Sequence, residues 1–225
     1  MAAPSTPTGS ARGGLLTGGI AAIVFAVLFV VGFLMVSDSP DGDESNLKWI
    51  RYYASSSNRR QIVIGVILLT VAAIAFLIFL GVLREWLRGA AAGSSWIATL
   101  VFASGLVFVA MLAVFALGQG SVAASVAFGD APVPRDADLM RTFVSAGFGA
   151  MLLFGATTAG LLMFITSILS GRASLLPKWL VVSGYVAGVI VFFGGLLFLP
   201  VILFLLWMLV VGIVMIARSR SAAIA

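Results

Sequence analysis

From Leu180 to Ala217 the chain runs for 38 residues without an Asp, Glu, Lys or Arg. As one straight helix that stretch would measure about 57 Å, nearly twice the roughly 30 Å hydrocarbon core of a bilayer. The rest of the chain repeats the pattern, with uncharged stretches of about 20 residues or more separated by short polar connections. Only 9% of residues are charged, against about a quarter in soluble domains. The bilayer is therefore the expected solvent. The expected fold is an all-α, polytopic transmembrane bundle, because helices satisfy their own backbone groups in lipid.

Six spans are predicted, at about 15–36, 61–83, 96–117, 142–169, 180–197 and 201–217, forming one transmembrane domain over 15–217. Residues 1–14 read as a short disordered cytoplasmic tail and 218–225 as a second cytoplasmic tail. The last apolar stretch is divided into a hairpin turning at Phe198, Leu199 and Pro200, since proline disfavours helix at the residue before it. A single kinked helix, giving five spans, is the competing reading. The first apolar run ends in Met35, Val36, Ser37 and Asp38 rather than in a small-x-small cleavage pattern, so it reads as a span and not as a secretory signal.

Charge supplies the orientation. With the N-terminus inside, the cytoplasmic face holds Arg12, Arg84, Arg88, Arg172, Lys178, Arg218 and Arg220, with Glu85 as its acid. The outer face then holds Lys48, Arg51, Arg59, Arg60, Arg135 and Arg141 with the other seven carboxylates. Lys and Arg alone nearly tie. The short linkers with paired basic residues and the long acidic loops favour both termini inside. Trp86, Trp96 and Trp179 flank the inner linkers as interface anchors would, while Trp207, in mid-span, reads as packing.

Few residues point to chemistry. There is no Cys and no His, which removes thiolate chemistry, histidine ligation and the commonest general base. No cofactor is expected, and the lack of a nucleophile and base pair leans against an enzyme. The basic residues sit singly or in pairs at span ends rather than in a stripe, so lipid headgroups are the expected partners and nucleic acid is not. No ionisable group is expected at membrane depth, which disfavours a pump built on a buried carboxylate.

Two groups of residues remain as candidates. In FGATTAG, Gly155 and Ala159 lie four apart, as do Ala156 and Gly160, around Thr157 and Thr158; in SGYVAG, Gly184 and Gly188 flank Tyr185. Small residues at that spacing let helices approach closely. Gly14, Gly18, Ala22 and Ala26 repeat the pattern in the first span. Helix packing is the plainer reading, self-association or a pocket at the Thr pair the sharper ones. The second group is the acidic outer set Asp38, Asp41, Asp43, Glu44, Asp130, Asp136 and Asp138. It lacks the twelve-residue calcium-loop pattern, so solvated surface charge is expected and no metal. Asp136 or Asp138 is placed to cap the fourth span. NLKWIRYYA has two readings: a short amphipathic helix with Leu47, Ile50 and Tyr53 on one face, or an aromatic anchor before the second span.

The DSPDGDES loop, the YYASSSNRR lead into the second span, FGD before the fourth and LLPKWL at the fifth together resemble a group of small, functionally uncharacterised six-span bacterial integral membrane proteins. The resemblance implies a bacterial inner (cell) membrane and supplies no activity. The expected function is a non-enzymatic accessory, scaffold or lipid-binding component, with a membrane protein partner or self-association. The alternatives are a small permease or channel-like protein for a neutral or apolar solute and, behind it, a membrane enzyme using outer-face carboxylates.

Overall fold

The computed structural model describes residues 9–90, 95–129, 131–194 and 199–221, and among them every regular element is helical. In order these are α1 (Gly9–Val36), α2 (Asn46–Ala54), α3 (Ser56–Ala90), α4 (Ser95–Phe128), α5 (Ala137–Gly149), a π-helical turn (Ala150–Gly155), α6 (Ala156–Arg172), α7 (Lys178–Phe193) and α8 (Leu199–Ser221). α5, the π turn and α6 form one continuous stretch, Ala137–Arg172. It and four others (Gly13–Val36, Ser56–Gly89, Trp96–Phe128 and Pro200–Arg220) are long and apolar enough to cross a membrane. Their outward faces carry Ile20, Val27, Leu34, Ile67 and Ile74, all exposed, a surface suited to acyl chains and not to water. This is the architecture of a multi-pass membrane protein. α7, with 16 residues, is shorter, at about 24 Å.

Neighbouring helices run antiparallel. α1 packs along α3, with a Cβ on Gly32 falling 2.9 Å from the Gly65 carbonyl oxygen. α3 meets α4 where Leu80 fills the space beside Gly105, and α4 meets α5 where Gly118 faces Gly147. α6 crosses α7 at Gly160 and Gly188, and α7 folds back on α8, with Gly194 against Pro200 and Gly184 against Trp207. α8 closes on α1, where Gly19 touches Gly212 and Ile216. The start of α1 and the end of α8 therefore lie at the same end of the bundle.

The middle of the bundle is filled by phenylalanine. Phe25 lies 4.6 Å from Phe76 and 6.2 Å from Phe204 between ring centroids, and Phe108 lies 5.2 Å from Phe76 and 5.1 Å from Phe204. Phe29, Phe33, Phe115 and Phe148 continue the chain of contacts toward one end, and Phe79 toward the other. These separations sit in the favourable range for tilted and edge-on rings, about 4.5–7 Å. Lipid gives no hydrophobic drive for helices to associate, so interdigitated rings and close glycine approaches supply the adhesion.

Several boundaries differ from the sequence reading. Helix begins at Gly9, inside the predicted disordered tail; residues 1–8 lie outside those described. α4 runs to Phe128, past the predicted end at 117, because the small residues of GQGSVAASVAF continue the helix, burying Gln119, Val122 and Ala123 against the neighbouring elements. α7 ends at Phe193 and α8 starts at Leu199, so Leu199 and Pro200, expected in the turn, open the last helix. Pro suits that first turn, where its missing N–H leaves no bond unmade; Phe198 lies outside the described residues. Gly18, Ala22 and Ala26 face the bundle, whereas Gly14 has nothing within 4 Å.

Candidate functional site

α2 and the start of α5 build a cap over one end of the bundle. Ser45 opens α2 by accepting the Lys48 backbone N–H, and Asp136 opens α5 by accepting from the N–H groups of Asp138 and Leu139, at 3.0 and 3.1 Å. Asp136 is therefore the helix cap that its position predicts. α2 is helical, but the face it buries is Trp49 and Tyr53, each 1% exposed, while Leu47 points outward. The two aromatic rings pack with Ile62, Val122, Met140 and Val144 in a small apolar core of their own. Protein, not the headgroup layer, receives the amphipathic face.

Arg141 fastens this cap. Its guanidinium donates to the Asp138 carboxylate at 2.6 Å, to the Asn46 side-chain oxygen at 2.8 Å and to the Glu44 carbonyl, and it lies 5.7 Å from the Trp49 ring centroid. Trp49 in turn donates its indole N–H to the Asp41 carbonyl at 3.1 Å. Two loops far apart in sequence are thus held by one planar fork of donors. Glu44 pairs with Lys48, and that hydrogen bond holds the Lys48 ammonium above its ordinary value. Burial, with Asp38 nearby, pushes the Tyr52 hydroxyl up to about 12, and burial raises Tyr53 as well.

The predicted acidic set therefore divides. Asp136 and Asp138 are engaged in structure, Glu44 is paired, and Asp38, Asp41 and Asp43 are exposed. Asp130 lies outside the described residues. Among the described residues no three metal-ligating side chains converge. Asp38 and Asp41 line an open cleft of about 480 Å³ with Lys48, Arg51, Tyr52 and Asn58.

The second predicted group does not form one site. The Thr157 and Thr158 hydroxyls donate to the carbonyls of Leu153, at 2.5 Å, and Phe154, at 2.8 Å. These carbonyls belong to the π turn, where Ala156 N–H reaches back five residues to Met151. The pair thus stitches an irregular backbone. Gly155 lies against Met151 and Met111, and Ala159 is buried. Tyr185 sits 5.4 Å from Phe164 and near Gly171, roughly 9–20 Å further along α6. Gly184 faces Ser167 and Trp207, and Gly188 faces Gly160 and Phe164. An apolar groove of about 260 Å³ opens beside that crossing, lined by Leu161, Phe164, Val189 and Phe192.

Sequence reasoning placed Arg141 among the outer-face arginines able to neutralise the acids, as it does with Asp138, but did not single it out as the fastener, and it missed Gln119 as a buried polar group. Gln119 is 1% exposed and donates to the Val144 carbonyl at 3.4 Å, with its own side-chain oxygen unpaired. The i,i+3 spacing of Asp138 and Arg141 was the available signal for the first; ending the third span at 117 hid the second. No protein-family model, curated protein or solved structure matches the chain.

Proposed function

We propose that the chain is a six-span bacterial inner-membrane protein with both termini cytoplasmic, acting as a non-enzymatic accessory, scaffold or lipid-binding component. The observation that carries this reading is the division of labour in the bundle. Its centre is packed with phenylalanine rings, where a permease or channel would need a path. Its polar groups are instead assembled into a braced cap at one end, which is the surface a partner or headgroup meets. The opposite end supports the orientation, since it gathers Arg84, Arg88, Arg172, Lys178, Arg218 and Arg220, with Arg218 bonded to the Ser174 carbonyl at 3.1 Å. Exposed Trp96 and Trp179 flank it.

Extraction in mild detergent at native expression, followed by native mass spectrometry, tests the function. A stoichiometric companion protein or tightly held lipid is expected. A bare chain, free of both at every detergent concentration, removes the reading and leaves the permease as its successor.

A further inference from the structure

The cleft beside α2 carries charge of both signs that the protein does not use. Asp38, Asp41 and Arg51 line it, yet none of the three makes an ion pair among the described residues. Lys48, also on its wall, is paired with Glu44. Opposite charges with nothing between them normally close up when flexible side chains can reach; here they stand around open space. The Tyr52 hydroxyl, on the same wall, is buried and has no hydrogen-bond partner, a state that costs free energy unless a ligand or water supplies one.

Position narrows the class of ligand. The apolar run of α1 ends at Val36, two residues before Asp38, and the apolar run of α3 begins at Gln61, three after Asn58. The floor of the cleft therefore lies where a hydrocarbon layer would give way to headgroups. Two carboxylates face two cations, one of which, Lys48, is shared with Glu44, so a bare anion or a bare cation would leave part of the wall unmatched.

We infer that this cleft binds a zwitterion of the phosphoethanolamine type, its ammonium toward Asp38 and Asp41 and its phosphate toward Arg51 and Lys48. The inference rests on the reading of the chain as a lipid- or partner-binding membrane component, and it adds which headgroup and where. Phosphatidylethanolamine in the bilayer and a soluble phosphoethanolamine carry the same chemistry.

Reconstituting the full chain with equal phosphatidylethanolamine and phosphatidylglycerol, then counting retained lipid by native mass spectrometry, tests it. Wild type should keep phosphatidylethanolamine in preference. Asp38→Asn with Asp41→Asn should lower that preference about tenfold, and Arg51→Gln should weaken retention of both lipids. Tyr52→Phe, which removes only the hydroxyl, should cost several-fold and guards against a variant that fails to fold. Saturable binding of soluble phosphoethanolamine, lost in the same variants while lipid preference is flat, supports the site with a soluble ligand. Equal retention of both lipids together with no soluble binding, or no effect of the substitutions in folded variants, overturns it. A chain that keeps a companion protein yet shows no zwitterion preference sinks the cleft alone.

Discussion

Gly160 and Gly188 show how a single missing Cβ sets the distance between two helices. A Cβ at Gly160 would fall 2.5 Å from the Phe192 backbone nitrogen and 2.7 Å from the Gly188 oxygen. Both are backbone atoms, so no rotamer change relieves the clash and the helices must separate. Gly160→Ala should therefore lower stability by roughly 1–3 kcal/mol, read as a reduced unfolding midpoint in detergent. Gly81→Ala, with nothing within 4 Å, should be neutral or slightly stabilising; equal losses at the two positions would refute this account of the crossing. The small-xxx-small spacing made Ala156, Gly160, Gly184 and Gly188 legible in the sequence. It gave the face of each helix but not its partner. Gly32 and Gly65, which touch each other across α1 and α3, carry no such spacing and were not singled out.

At the scale of elements, hydropathy marked the bilayer rather than the helix. α3 and α4 extend well beyond their apolar runs because polar and small residues continue hydrogen-bonded helix into the interfacial zone. The π turn left no sequence trace, since AMLLFG is as compatible with α-helix as with the wider coil. α2 was legible as a candidate helix but not in its orientation, because Trp49 and Tyr53 lie four apart as convincingly as Leu47 and Ile50 lie three apart. The deciding contacts come from α5, distant in sequence. Trp49→Ala should undock α2, removing roughly 3 kcal/mol or more of local protection. Hydrogen exchange would then rise across 46–54 while the apolar part of α3 stays protected. Unchanged exchange in α2 would mean that Arg141 and Tyr53 hold it without the indole.

For the whole molecule the decisive property is which side each end occupies. The chain has no cysteine, so single-cysteine reporters stand on a clean background. Ser39→Cys should react with a membrane-impermeant maleimide in intact cells, whereas Ser174→Cys and Ser221→Cys should react only after permeabilisation. Exchange of the two patterns would reverse the orientation, and Ser221→Cys reacting from outside would leave five spans. The fold class was legible because long uncharged stretches admit few solutions; the cap was not, because Arg141, Asn46, Glu44 and Trp49 meet only in three dimensions. The absence of charge from the apolar runs has an electrical consequence. Moving one elementary charge through a potential of 100 mV does about 2.3 kcal/mol of work, and the stretches Leu15–Val36, Gln61–Leu83, Trp96–Phe128, Thr142–Gly171 and Trp179–Ala217 contain none to move. These runs therefore carry no side-chain gating charge, and the charged residues of the helices lie only at their ends.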